Sequence, residues 1–179
     1  MIPELQHVQL PGQIDRDSPF PAIFQAGAKL EQDMELVAVW FRTHRQAILD
    51  LLAHRGALLL RGLPIHSDQD FDLVMRSLDQ ENFSYAGSLS NAVRHNRTDR
   101  VFTANEAPPD VEIYFHHEMA QTPVFPSKLA FYCEQAPTVG GATPLCRSDA
   151  LLSEMAEQIP EFVQRCDGCL LYTSPSPRD

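Results

Sequence analysis

Hydrophobic residues recur at helical spacing in the first half of the chain. The spacing predicts an amphipathic helix over residues 34–54, ended by Gly56, because glycine readily adopts the left-handed conformation found after helices. The apolar stripe of this helix consists of Leu36, Trp40, Ile48, Leu51 and Leu52. We expect the stripe, Trp40 included, to pack in a core rather than to bind a cofactor.

A second amphipathic helix is predicted after Ser67. Ser67 and Asp70 have the spacing of a capping box, in which two side chains satisfy the free backbone N–H groups of a helix start. Its core-facing positions are Phe71, Val74, Met75 and Leu78.

Shorter apolar or β-prone runs predict strands. The predicted strands are residues 57–62, 102–105, 112–115, 129–134 and 143–146. Residues 1–30 contain four of the prolines and are predicted to be irregular, because proline cannot continue a helix or a central strand. Residues 90–100, rich in Asn, Arg and His, are predicted to form a surface loop, and a last helix is expected from Ser148 through Met155.

Composition and charge narrow the class of protein. The 179 residues are 44% hydrophobic and 21% charged, which is enough apolar material for the core of one domain. The formal net charge of −10 argues against a nucleic acid or an anionic membrane as partner. No run approaches the roughly 20 apolar residues of a membrane span, and the first residues lack the pattern of a secretory signal. We therefore expect a cytoplasmic protein.

The four cysteines fit the same compartment. Cys133 and Cys146 fall within predicted strands, so we expect reduced thiols in the core. Cys166 and Cys169 have the C-x-x-C spacing of redox and zinc sites, but no second pair completes a zinc site. Neither role is predicted for them.

The candidate chemistry lies in the sequence Phe-His-His-Glu-Met at residues 115–119. Alternate residues of a strand share a face, so His116 and Glu118 would project together from backbone positions about 6.6 Å apart, while His117 points the other way. Such a pair can bind one octahedral ion, as in sites with two histidines and one carboxylate. The chain has seven histidines, so some of them are expected to lie near an acidic residue by chance. Such a chance pair is the alternative to a metal site.

Three stretches together resemble a known family. They are Phe-His-His-Glu-Met-Ala at 115–120, Pro-Ser-Lys-Leu-Ala-Phe-Tyr-Cys-Glu at 126–134 and Gly-Gly-Ala-Thr-Pro at 140–144. The resemblance is to the TauD/TfdA-like Fe(II)- and 2-oxoglutarate-dependent dioxygenases, and within them to the clavaminate synthase-like branch, which has Glu rather than Asp in the His-x-acid pair. It implies that His116 and Glu118 are two of three iron ligands and that Thr143 helps to hold 2-oxoglutarate.

The resemblance also implies a fold and a reaction. The fold would be mainly β with flanking helices (α+β), a double-stranded β-helix or jelly roll of which this chain contains the N-terminal part only. The enzyme would oxidise a small organic substrate with O₂, converting 2-oxoglutarate to succinate and CO₂. The family's second His ligand and its 2-oxoglutarate-binding Arg follow far downstream, and no histidine follows Thr143 here.

We therefore expect residues 1–168 to be the N-terminal portion of such a domain, inactive by itself. Residues 169–179 resemble a translated sequencing adapter and are expected to be non-native; a genuine Ser/Pro-rich tail is the alternative. Two other functions stay open. One is a non-catalytic jelly-roll binding protein, and the other is a zinc-dependent hydrolase using His116, His117 and Glu118. The sequence indicates neither the primary substrate nor the oligomeric state.

Overall fold

The computed structural model describes residues 2–11, 13, 19–83, 94–104, 106, 108, 111–120 and 124–168. The elements in chain order are β1 (Leu5–Val8), β2 (Ala22–Ala26), α1 (Met34–Arg55), β3 (Leu58–Arg61), α2 (Asp68–Ser77), α3 (Ser148–Gln158) and α4 (Pro160–Gly168). The chain divides into two compact units, which consist of residues 1–112 with 126–141 and of residues 113–125 with 142–179. The first unit contains the strands, α1 and α2, and the second contains α3 and α4.

The three strands of the first unit form one sheet in the order β1-β2-β3. β1 runs antiparallel to β2, with Leu5 opposite Ala26, and β2 runs parallel to β3, with Ala22 opposite Leu58. Parallel strands need a long crossover, which α1 supplies here. β3 confirms the strand predicted over residues 57–62.

β1 and β2 show that the prediction of an irregular segment over residues 1–30 was wrong. Pro3 and Pro21 lie just outside the two strands, so no hydrogen bond of the sheet is lost to a missing N–H. The prolines exclude a helix, but the apolar run Ala-Ile-Phe that follows Pro21 is still free to form a strand. That run is the sequence signal that was missed.

α1 confirms the first predicted helix and both of its ends. The Asp33 carboxylate accepts hydrogen bonds from the backbone N–H groups of Glu35 (2.7 Å) and Leu36 (3.4 Å), which satisfies donors left free at the helix start. At the other end Gly56 adopts φ 77°, and its N–H donates to the Leu52 carbonyl at 2.8 Å.

The buried face of α1 forms the core of the first unit. The core consists of Ala26, Leu30, Val37, Trp40, Phe41, Ile48 and Val74. Trp40 is a core residue as expected, and its indole N–H donates to the Pro3 carbonyl at 3.0 Å. Leu36 was wrongly assigned to the stripe, because it is 48% exposed and the neighbouring Val37 is fully buried instead.

α2 begins with the predicted capping box. The Asp70 N–H donates to Ser67 Oγ at 3.1 Å, and the N–H of His66 donates to Asp70 Oδ2 at 3.0 Å. The hydrogen bond from the His66 N–H to the carboxylate, followed by one with the Ser67 side chain, lowers the pKa of Asp70. Val74, one of the predicted core positions, is buried.

Polar contacts hold residues 94–100 against α2. The buried carboxylate of Asp72 accepts a hydrogen bond from Thr98 Oγ1 at 2.9 Å, and Arg97 Nε lies 2.7 Å from Asp68 Oδ2. The described residues of the predicted surface loop therefore contact α2 on one side. Residues 90–93 of that loop lie outside the described part of the chain.

Later predicted strands are wrong for the residues that the structure describes. Within 102–104, 112–115, 129–134 and 143–146 there is no strand, only an isolated bridge between Asn96 and Phe102. A β-prone sequence forms a strand only where a neighbouring strand can exchange backbone hydrogen bonds with it, and the described residues offer none to these stretches. Their apolar side chains are largely exposed, as at Phe131 (69%).

The predicted fold class is confirmed only in its coarser part, a combination of helices and strands. The helices have 22, 10, 11 and 9 residues, whereas the strands have 4, 5 and 4. The described part of the chain is thus mixed α and β rather than mainly β, and a double-stranded β-helix is not seen in it. None of its helices is long and apolar enough to cross a membrane.

The second unit contains two consecutive helices. α3 confirms the predicted helix at Ser148 and continues three residues beyond Met155. α4, which packs against α3, was not predicted. Pro160 is its first residue, where a missing N–H costs nothing because that N–H has no partner within a helix.

We expect Phe41→Ala to lower the free energy of unfolding by about 3–5 kcal/mol, because the ring is 2% exposed and its removal leaves a cavity in the core. Val39→Ala, on the same helix but 51% exposed, should change it by less than about 0.5 kcal/mol. Urea unfolding followed by far-UV circular dichroism measures both. Equal losses in the two variants would contradict this assignment of the core.

Candidate metal-binding site

His116 and Glu118 approach one another in the second unit. Nε2 of His116 lies 4.0 Å from Oε2 of Glu118. Residues 111–117 have no regular secondary structure, and a turn covers residues 118–120, so the expected strand is not what brings the two side chains together. Their role as metal ligands stays a prediction.

A backbone contact determines which nitrogen of His116 can bind a metal. Nδ1 lies 2.7 Å from the carbonyl oxygen of Tyr114. A carbonyl only accepts hydrogen bonds, so Nδ1 must carry the proton, and Nε2 of the neutral ring keeps a free lone pair. Metal-binding histidines in proteins commonly donate their second ring N–H to a carbonyl in this way. The ring is thus oriented with Nε2 on the Glu118 side.

The two side chains differ in exposure. The Glu118 side chain is 14% exposed, whereas that of His116 is 59% exposed. Met119, which follows, is 4% exposed and has φ 61°, a conformation uncommon for residues other than glycine. The Ala120 N–H donates to the His117 carbonyl at 3.3 Å and closes the turn.

The spacing of the pair can be compared with a coordination sphere. Two ligands at right angles on an ion with bonds of about 2.1 Å are about 3 Å apart. The observed 4.0 Å therefore requires the two atoms to move about 1 Å closer together. An imidazole nitrogen and a carboxylate oxygen are suitable donors for Fe(II), so the residues fit two positions of such a site.

A third ligand is not present among the described residues. They contain no group of three or more His, Cys, Asp or Glu side chains that could hold a metal ion. The histidines outside the motif all precede it in the sequence, and they are His7, His44, His54, His66 and His95.

His117 contacts a different part of the second unit. Its Nε2 lies 2.7 Å from Oγ of Ser148, the first residue of α3. This contact joins the turn at residues 117–120 to a helix. The sequence provided no sign of it, because the two residues are 31 positions apart.

An ion pair stabilises the first turn of α3 beside Ser148. The Arg147 guanidinium donates two hydrogen bonds to the Asp149 carboxylate, one of them from Nε at 3.0 Å. These bonds lower the pKa of Asp149 to about 2. An acidic residue in the first turn also interacts favourably with the helix dipole.

Thr143 follows a glycine turn, as the sequence indicated. Gly140 and Gly141 have φ of 68° and 69°, and a Cβ at Gly141 would lie 2.4 Å from Cγ of Pro137. Only glycine fits there without strain. Thr143 itself is exposed, and its contact with 2-oxoglutarate stays a prediction.

The segment before this turn is attached to the first unit by contacts that sequence reasoning missed. Tyr132 donates its hydroxyl hydrogen to the Ile65 carbonyl at 3.0 Å and stacks on Phe71 with ring centroids 5.6 Å apart. Burial, together with nearby carboxylates including Glu134, raises the pKa of Tyr132. Arg97 Nη2 lies 3.7 Å from Glu134 Oε1.

The described cysteines, Cys133, Cys146 and Cys166, are free, but they are exposed. The expectation that Cys133 and Cys146 lie in the core was therefore wrong, because the strands that would have buried them are not formed.

Comparison with known proteins identifies the family. A family model described as "Taurine catabolism dioxygenase TauD, TfdA family" matches residues 16–168. The chain belongs to the TauD/TfdA family. It is 38% identical over 170 residues to a clavaminate synthase-like protein of Arabidopsis thaliana, a match that covers 93% of this chain and 49% of the relative. It is also 35% identical over 117 residues to the dapdiamide synthesis protein DdaC of Enterobacter agglomerans, covering 65% of this chain and 35% of that relative.

This TauD/TfdA chain thus spans about half the length of the Arabidopsis relative and about a third of the Enterobacter relative. The family match ends at residue 168, before the segment 169–179. That segment lies outside the described residues, and its non-native origin stays a prediction.

The lowered pKa of Asp149 leads to a pH prediction. Because its folded value of about 2 lies below the ordinary 3.8, Asp149 stabilises the fold above pH 3.8, and this contribution is lost as the pH falls from 3.8 through 2. Arg147→Gln should move the carboxyl titration seen by NMR from about 2 toward 3.8, whereas Arg165→Gln, in the last turn of α4, should leave it in place. An unchanged titration in Arg147→Gln would show that the guanidinium is not the cause.

Metal affinity tests the His116–Glu118 pair. We expect His116→Ala and Glu118→Ala each to weaken Co(II) binding about tenfold or more, because each removes a ligand atom. His95→Ala is the matched control, since His95 Nε2 also lies near a carboxylate, 3.7 Å from Glu106 Oε2. Paramagnetic broadening of the amide signals of residues 117–120 measures binding. Loss of that broadening in His95→Ala, with retention in His116→Ala, would contradict the site.

Proposed function

We propose that the complete protein to which this chain belongs is an Fe(II)- and 2-oxoglutarate-dependent oxygenase that oxidises a small organic substrate. The observation that supports it most directly is the convergence of His116 Nε2 and Glu118 Oε2 in a chain of the TauD/TfdA family. Fe(II) and 2-oxoglutarate, when bound, would supply oxidation of a C–H bond by O₂, with 2-oxoglutarate converted to succinate and CO₂.

His116 and Glu118 have complementary parts in this proposal. His116 contributes a neutral nitrogen whose direction is set by the Nδ1–H bond to the Tyr114 carbonyl. Glu118 contributes negative charge from a side chain that is only 14% exposed, where water competes less with the ion for the carboxylate oxygens. Because one ligand is anionic and the other is neutral, the pair offsets one of the two positive charges of the ion and leaves it able to bind an anionic co-substrate.

Thr143 is the proposed contact for 2-oxoglutarate. A carboxylate removed from water needs hydrogen-bond donors, and a threonine hydroxyl can donate one. The turn at Gly140 and Gly141 directs the chain into Thr143. Thr143→Val keeps the shape of the side chain and removes the donor, so it is the informative substitution.

The remaining parts of the site are proposed for sequence outside this chain. The function requires one further histidine ligand and an arginine for the distal carboxylate of 2-oxoglutarate. It also requires partner strands for the β-prone stretches at 112–115, 129–134 and 143–146, which together would complete the jelly roll. The relatives, about twice to three times the length of this chain's matched part, have room for such residues.

We propose a cytoplasmic location, for which the free state of Cys133, Cys146 and Cys166 gives support, because thiols persist in reducing compartments. The net charge of −10 favours a small-molecule substrate over a nucleic acid or an anionic membrane.

The two alternative functions are a zinc-dependent hydrolase and a non-catalytic binding protein, and different observations test them. A zinc hydrolase using His117 as a ligand is disfavoured, because Nε2 of His117 contacts Ser148 Oγ instead of the His116–Glu118 pair. A non-catalytic binding protein of the same fold would lack the second histidine in its complete sequence.

Succinate release tests the proposed function. We expect the complete protein, expressed from the full coding sequence, to release succinate from 2-oxoglutarate only with Fe(II), and the 179-residue chain to release none, because two ligands make a weak site. His116→Ala in the complete protein is the control and should be inactive. Equal turnover by the two forms, or an active His116→Ala variant, would refute the proposal.

A further inference from the structure

The middle residue of the His116-x-Glu118 motif has a contact that the proposed reaction does not use. Nε2 of His117 lies 2.7 Å from Ser148 Oγ, within hydrogen-bond distance. A serine hydroxyl both donates and accepts, so the bond can form with either neutral tautomer of the ring and with the protonated ring as well. The contact therefore does not depend on a particular protonation state of His117.

The Ser148 end of this bond is part of a helix. Ser148 is the first residue of α3, and its neighbours Arg147 and Asp149 form a two-bond ion pair across it. The backbone also closes the first turn there, since the Leu151 N–H donates to the Arg147 carbonyl at 2.9 Å. α3 in turn packs against α4. The hydroxyl of Ser148 is thus presented by a regular element.

The His117 end belongs to an irregular segment. Residues 111–117 form neither helix nor strand, and the Ala120 N–H closes a turn on the His117 carbonyl. Ligands on irregular segments are positioned less precisely than ligands on helices and strands. The pair also stands about 1 Å wider than adjacent positions on one ion require, so its spacing matters for affinity.

We infer that His117 is a positioning residue: its hydrogen bond to Ser148 ties the turn bearing His116 and Glu118 to α3 and limits the movement of the two ligand side chains. This rests on the proposed function, because the pair must bind a metal for its positioning to matter. The three residues then divide the work. His116 and Glu118 would bind the ion, and the intervening His117 contacts Ser148 of α3 instead.

Co(II) affinity of the 179-residue chain provides the test, measured by paramagnetic broadening of the amide signals of residues 117–120. His117→Ala and Ser148→Ala should each weaken binding about threefold to tenfold, as expected for loss of one exposed hydrogen bond. The double variant should be no weaker than either single variant, because both remove the same bond. Ser148→Thr keeps the hydroxyl and should bind as the parent does.

Ser153→Ala is the matched control. It removes another exposed hydroxyl from α3, one that bonds the Asp149 carbonyl at 3.0 Å, and should leave the Co(II) affinity unchanged. Far-UV circular dichroism of every variant should show unchanged helix content, since both His117 and Ser148 are exposed. A loss of affinity in Ser153→Ala equal to that in Ser148→Ala would overturn the inference, because it would make the effect one of general helix stability.

Two further outcomes separate this inference from the proposed function. If His116→Ala weakens binding while His117→Ala and Ser148→Ala bind as the parent, or if their effects add in the double variant, the positioning role is wrong and the metal site stands. If His116→Ala leaves the affinity unchanged, the proposed site and the positioning role are both wrong.

Discussion

Burial of one face of α1 is the interaction on which the described fold depends. The helix covers the sheet with Val37, Trp40, Phe41 and Ile48, and it is also the crossover that lets β2 and β3 run parallel. Burial of large apolar side chains is the main favourable term in folding, at about 25 cal/mol for each Å² removed from water. The hydrogen bond from Trp40 to Pro3 adds the start of the chain to the same core. These contacts explain why regular structure in the first unit starts as early as β1.

Residues 113–115 are not buried against another element in this way. Their sequence favours strands, yet Ile113, Tyr114 and Phe115 are 55%, 77% and 67% exposed and form no ladder. A helix satisfies its own backbone hydrogen bonds, which is why α3 and α4 form in the same unit. A strand depends on another strand, so β propensity by itself does not produce one. Helices therefore form after residue 111 while β-prone stretches there do not, because only the strands need a partner segment.

The candidate site combines local and distant determinants. The approach of His116 and Glu118, and the orientation of the imidazole by the Tyr114 carbonyl, involve residues within four positions of each other. The spacing in the sequence was therefore enough to predict that the two side chains approach one another, although the strand expected to bring them together is not formed. The metal role proposed for the pair rests on membership in the TauD/TfdA family and on the motif, since an imidazole also lies near a carboxylate at His95 and Glu106.

The sequence by itself determined the features that depend on near neighbours: the extent of α1, its end at Gly56, the Ser67–Asp70 capping box and the His-x-Glu spacing. These are set within one or two helical turns, where side-chain pattern and backbone preference act directly. Only the tertiary structure decided that Tyr132 bonds the Ile65 carbonyl, 67 residues away, and that His117 bonds Ser148, 31 residues away. The physical reason is that such contacts depend on how separate elements pack, and that packing is decided by the burial of all their faces together rather than by any one segment.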